Sequence, residues 1–146
     1  MGSKDEGFGY HPIQLRKIEV LELNFSKYSD DVEEKDRSHF NFMHAHSALD
    51  QETNFFNVKV RAEVYPPDLE EEYKIVVEIA GAFEVNLESF DVEHVDSFAE
   101  KNAPLILYPF LREQVFGVAA RAGVTTPTLP LFQIPPFVLS KTKQDS

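Results

Sequence analysis

Asn102-Ala103-Pro104-Leu105-Ile106-Leu107-Tyr108-Pro109-Phe110-Leu111-Arg112-Glu113, followed by an apolar tail with prolines at 127, 130, 135 and 136, is too greasy for a solvated loop. It is also too rich in proline for an ordinary core helix. Asn102 stands where a helix cap belongs, and Pro104 is tolerated in a first helical turn. Leu105, Tyr108, Arg112, Val115, Phe116 and Ala119 then recur at helical spacing, which predicts a helix to about Arg121. Pro109 lies inside it and must kink it, because proline lacks the amide donor and clashes with the preceding turn. Gly123 supplies the stop. The prolines beyond favour an extended run across the body of the domain.

Upstream the period changes to two. Ile13–Phe25 reads as a strand with Glu19, Leu21, Leu23 and Phe25 on one face and Ile18, Val20, Glu22 and Asn24 on the other. Ile13 and Leu15 share the first face and Lys17 breaks the phase, which predicts a bulge there. Residues 26–38 are a charged connector. A second strand covers Ser38–Ala48, with Phe40 and Phe42 on one face. The third, Asn54–Tyr65, directs Phe56, Val58, Val60, Ala62 and Val64 one way and Asn57, Lys59, Arg61 and Glu63 the other, as a half-buried antiparallel strand requires. Pro66-Pro67-Asp68 ends it, and a fourth strand runs from Glu72 to about Val85. Gly81 within that strand marks a bend or a close approach of neighbouring atoms. Asp91-Val92-Glu93-His94 opens a short helix before the long one. The fold class is therefore α+β: a four-stranded antiparallel sheet with a kinked long helix on one face and the other face free for solvent or a partner. The expected organisation is a flexible N-terminus over residues 1–12, one domain over 13–137 and a flexible tail over 138–146.

Composition narrows the function. The chain has 146 residues, a formal net charge of −11 and no cysteine. Such acidity disfavours nucleic acid and suits attraction to basic segments. The absence of thiols removes disulfide, thiolate-zinc and cysteine-nucleophile chemistry and fits a cytoplasmic protein. There is no apolar leader and no run of the roughly 20 apolar residues a membrane helix needs. No phosphate-binding glycine loop or nucleophile elbow occurs. His44 and His46 share a strand face near His39, but no acid or third histidine stands at a ligating spacing, so no metal is read. Glu70-Glu71-Glu72 is a solvated run at a turn. No catalytic group, enzyme activity or cofactor is read from this sequence.

The chain resembles the SecB export-chaperone family. The resemblance rests on Asn102, Ile106-Leu107, Tyr108-Pro109-Phe110 and Arg112-Glu113, then on Arg121-x-Gly123, Leu129-x-Leu131 and Pro135-Pro136-Phe137. Ala80-Gly81-Ala82-Phe83, Ile13-Gln14 and Phe25 match the family's fourth and first strands. The resemblance implies a homotetramer built as a dimer of dimers, ATP-independent capture of unfolded polypeptide, and delivery to the SecA motor. On that reading the candidate polypeptide contacts are the aromatics Phe40, Phe42, Tyr108, Phe110, Phe132 and Phe137, each of which also reads as core or inter-subunit packing, and Glu22 can serve as the motor contact. Three departures stand out. Lys74 and Val76 occupy positions where the family carries its acidic motor-docking patch. The connector Ser29–Asp36 is acidic rather than aromatic, and the family's C-terminal helix is missing after Phe137. SecB-like proteins outside export, including those devoted to one labile partner such as an antitoxin, are the natural home for such a variant. A fold that instead holds a small apolar ligand between helix and sheet is the third reading. Arg112 and Glu113 read most simply as a helix-surface ion pair or an interface contact.

Overall fold

Strands β1 (Ile13–Lys27), β2 (Phe40–His46), β3 (Phe55–Val64) and β4 (Tyr73–Val85) form one antiparallel sheet in the order β1-β4-β3-β2. A 3-10 turn, Val92–His94, leads into α1 (Val95–Lys101) and α2 (Ala103–Ala122), and together these make one bent helical segment. The computed structural model describes residues 9–27, 40–66, 72–125 and 127–133. The expectations for residues 1–8, the acidic connector, His39, Glu70-Glu71, Phe137 and the tail 138–146 lie outside the described residues.

The period-two pattern of β3 and β4 carries straight into packing. Phe56, Val58, Val60, Ala62 and Val64 of β3 meet Ile75, Val77, Ile79 and Phe83 of β4 on the helix-covered face, all almost fully buried. Burying such side chains contributes roughly 1.5–3 kcal/mol each, which makes this pair the spine of the fold.

The first strand departs from simple alternation. Its pairing with β4 slips between Leu15 and Lys17 and again between Val20 and Glu22. Each slip leaves one residue unopposed and resets the alternation. The bulge expected near Lys17 is present. The second one moves Ile18 and Val20 onto the same face as Leu23 and Phe25, correcting the assignment made from the sequence. Ile13, Leu15, Ile18, Val20, Leu23 and Phe25 thus oppose Val85, Phe83, Gly81, Ile79, Val77 and Ile75. Glu22 and Asn24 turn to the open face.

Two further details differ from the sequence reading. Asn102 precedes α2, but its side chain makes no capping hydrogen bond. Its carbonyl accepts from the Leu105 and Ile106 amides instead. The buried stripe of α2 is Pro104, Leu107, Tyr108, Leu111, Val115, Val118 and Ala119, so Leu107 and Leu111 take the central places rather than Leu105 and Arg112. Gly81 explains this choice. A Cβ on Gly81 would lie 2.8 Å from Cδ2 of Leu107, so the glycine marks close approach within a paired strand. At the far end Gly123 adopts φ 77°, and its amide reaches the Ala119 and Ala120 carbonyls, which closes the helix.

Candidate functional site: an aromatic box beside an apolar groove

Residues from three elements converge on one flank of α2. Tyr108 is buried there, with Phe42 5.6 Å away at 87°, Phe40 6.4 Å away at 73° and Phe132 4.9 Å away at 72°. Phe132 also packs 5.1 Å from Phe42. Edge-to-face contacts of this kind satisfy the ring quadrupoles and add roughly 0.5–1.5 kcal/mol per pair beyond area burial. The Tyr108 hydroxyl donates to the Pro130 carbonyl at 2.6 Å, which pins the returning tail against the helix. Burial raises the Tyr108 pKa above its ordinary value, while the nearby Arg112 charge pulls the other way.

The expected binding residues therefore divide. Phe40, Phe42, Tyr108 and Phe132 come together. Phe110 does not join them, because two residues on a helix are roughly 200° apart. It stands 41% exposed on another side of α2, close in helical phase to Ile106, which is 40% exposed.

An open apolar groove of about 610 Å³ continues from the box along α2 towards α1. Phe98, Leu105, Ile106, Tyr108, Pro109, Leu131 and Phe132 are among its lining residues. Leu131 is 85% exposed on its rim. Arg112 also lines it, and its guanidinium lies 5.7 Å from the Tyr108 ring centroid. No Arg112–Glu113 ion pair is present among the described residues, and Arg112 sits beside the Tyr108 ring instead. Adjacent helix positions face different ways, whereas Tyr108 and Arg112, four apart, lie on one side.

The open face of the sheet has a different character. Arg61 is its hub: Nη1 donates to Glu22 Oε1 at 2.9 Å and to Glu78 Oε1 at 2.8 Å, and Nε donates to Glu63 Oε2 at 3.2 Å. These hydrogen bonds to Glu22 and then Glu78 raise the already high Arg61 pKa. Lys59 meets the other Glu78 oxygen at 3.6 Å, Arg16 meets Glu84 at 2.8 Å, and Lys17 meets Glu19 at 3.4 Å. Glu22 is thus on the open face as expected, but held by a cation. The hub was missed in the sequence because Arg61 looked like any solvent-facing residue of β3.

His44 and His46 share a strand face, opposite Val60 and Val58. His46 lies 3.4 Å from Glu100 of α1. Among the described residues the one group with metal-like proximity is Asp91, Glu93 and His94, all exposed. Exposed acids gather in this way without a metal, and nothing further marks that cluster as a site. No helix among the described residues is long and apolar enough to cross a membrane.

The family model for the preprotein translocase subunit SecB matches residues 9–134, which span the sheet, both helices and the returning tail. The chain belongs to the SecB family. Among solved structures, this SecB-family chain is similar to a Mycobacterium tuberculosis SecB-like chaperone in complex with a ChAD peptide from the HigA1 antitoxin. The two are 20% identical with a TM-score of 0.65, over 83% of this chain and 91% of that one. It is also similar to a Streptococcus agalactiae protein of unknown function, at 14% identity and a TM-score of 0.52, over 82% of this chain and 97% of that one. At these identities the likeness is one of fold. No curated protein sequence matches the chain.

Proposed function

We propose that this SecB-family chain is an ATP-independent holdase that captures non-native polypeptide along the groove. The groove itself carries the reading: it is an open apolar channel lined by Tyr108 and Phe132 of the aromatic box and by exposed Ile106 and Leu131. Burial of apolar client side chains there contributes roughly 25 cal/mol per Å² and reads no particular sequence. Tyr108 and Phe132 line the groove, and Phe40 and Phe42 pack against them. Phe110 extends the apolar surface over the crest of α2, and we assign Phe137 to the polypeptide contacts as an aromatic of the same apolar tail.

Assembly follows from β1. Val20, Leu21 and Leu23 are 47%, 49% and 43% exposed on an edge strand, a surface that a second copy of the chain would cover. We assign a homo-oligomer on this ground, with the dimer of dimers of the family as its form. Delivery to SecA through Glu22 is the less favoured part of the export reading, because Arg61 already occupies that carboxylate.

A second reading has its own support. The M. tuberculosis SecB-like chaperone was solved with an antitoxin peptide, which supports a partner role in which this chain holds a segment of one particular protein. The assay that separates the two is suppression of aggregation by the purified protein, at stoichiometric amounts, across several unrelated unfolded proteins. A generic holdase protects most of them, and failure on all of them removes that function. A small apolar ligand would instead raise thermal stability without any effect on aggregation.

A further inference from the structure

Pro109 lies inside α2, which runs on through it from Ala103 to Ala122. In an α-helix each carbonyl accepts from the amide four positions further along. The Leu105 carbonyl would need the amide of residue 109, and proline has none. One turn earlier the Asn102 carbonyl, by contrast, accepts from both the Leu105 and the Ile106 amides. The helix therefore carries one interior acceptor without its regular donor. Helical carbonyls point towards the C-terminal end, so that of Leu105 aims at the Pro109 ring. Leu105, Ile106, Tyr108 and Pro109 make up the two peptide units concerned, and all four line the apolar groove. Ile106 and Pro109 are exposed and Leu105 is half-buried, which places this oxygen on the groove side of α2 and away from the sheet.

The side chains around it leave that role open. Arg112 offers donors only, the Tyr108 hydroxyl already donates to Pro130, and His11 Nδ1 accepts from the Ile13 amide. In the free protein, water satisfies a carbonyl on an open surface. A client that fills the groove displaces this water, and an acceptor then left bare opposes binding.

We propose that the Leu105 carbonyl accepts a hydrogen bond from a main-chain amide of the bound polypeptide. This deepens the holdase reading and rests on the groove being the polypeptide site. A main-chain amide is the donor that every residue except proline carries, so the contact selects polypeptide without reading its side chains. The partner it fits is an extended segment. In a helix or a hairpin the client's own carbonyls already hold its amides, and a purely apolar small molecule has none to give. Pro109 thus weakens the helix that carries it and equips the groove for an unfolded chain.

The test compares two fluorescent ten-residue peptides of Leu, Phe and Ala, with capped ends and an ethylene-glycol tail for solubility. In one of them the four central amides are replaced by esters, which keep the shape of the chain and lack the N–H donor. Binding to the full chain is followed by fluorescence anisotropy. The all-amide peptide is expected to bind about fivefold more tightly, the scale of one hydrogen bond. Pro109→Ala supplies the missing donor from within the helix. In that variant the advantage of the all-amide peptide should disappear, and the new amide at position 109 should exchange slowly with solvent by NMR. The ratio between the peptides isolates the hydrogen bond, because loss of the proline ring affects both alike. Circular dichroism confirms that the variant is folded. Equal binding of the two peptides to the unaltered chain overturns the proposal and leaves the groove as a binding site. A preference that survives in folded Pro109→Ala, or rapid exchange of the new amide, overturns it as well. If neither peptide binds, the polypeptide site is wrong, and this proposal falls with it.

Discussion

Gly81→Ala is the substitution that most directly probes how the helix is seated. The added Cβ would stand 2.8 Å and 3.2 Å from the two Leu107 methyls and 3.1 Å from Leu15 Cδ1. Leu107 is fully buried, so any displacement of its side chain presses on packed neighbours. Overpacking a core by one methyl costs about 1–3 kcal/mol. Replacing glycine in a strand returns roughly 0.5–1 kcal/mol through backbone entropy. With three contacts inside the usual limit the upper half of the first range applies, and the net expectation is a loss of about 1–2 kcal/mol. Urea denaturation followed by circular dichroism would show a lower midpoint at unchanged slope. The double variant decides the cause. Leu107→Ala alone should cost about 2–5 kcal/mol, but combined with Gly81→Ala the new methyl occupies the emptied space. The pair should then be less destabilised than the sum of the singles by about 1 kcal/mol or more. Strict additivity would refute the view that Leu107 is seated by the missing Cβ of Gly81.

Tyr108→Phe deletes the hydrogen bond to Pro130 and should cost about 1 kcal/mol, with faster limited proteolysis between Gly123 and Gln133. Because burial raises the folded-state pKa of Tyr108, its contribution is complete below about pH 10 and is lost as pH rises through the folded value. Alkaline destabilisation should accordingly be shallower in Tyr108→Phe than in the unaltered chain. Phe110→Ala should leave stability within about 0.5 kcal/mol, as at other exposed positions, while reducing aggregation suppression. Unchanged chaperoning by that variant would remove Phe110 from the site. Arg61→Met leaves Glu22, Glu63 and Glu78 facing one another and should cost about 1–2 kcal/mol, a loss that shrinks with added salt in equilibrium unfolding. Leu23→Glu on the β1 edge should lower the mass found by sedimentation without unfolding the chain.

Much of the architecture was legible because burial is periodic in β3 and β4. Their alternation is unbroken, so faces and partners follow from the residues alone. The first strand resisted the same treatment. Its two bulges are set by the register against β4, and a strict count of two put Ile18 and Val20 on the wrong face. The aromatic box was half legible. Phe40 and Phe42 alternate visibly, but their meeting with Tyr108 and Phe132 joins residues far apart along the chain. Arg112 looked ordinary, since no local signal separates a cation in a groove from one in a surface pair.

The long helix shows where the boundary lies. Pro104 and Gly123 are local constraints on backbone torsion and hydrogen bonding, so the sequence by itself determined that a helix starts after Asn102 and stops at Gly123. It could not choose among Leu105, Ile106 and Leu107 for the core, because three consecutive apolar residues satisfy a helical period in more than one phase. The choice fell to the sheet. Gly81 opens a hole one side chain wide, Leu107 enters it, and that rotation turns Tyr108 onto the aromatic box, Arg112 into the groove and Phe110 to solvent.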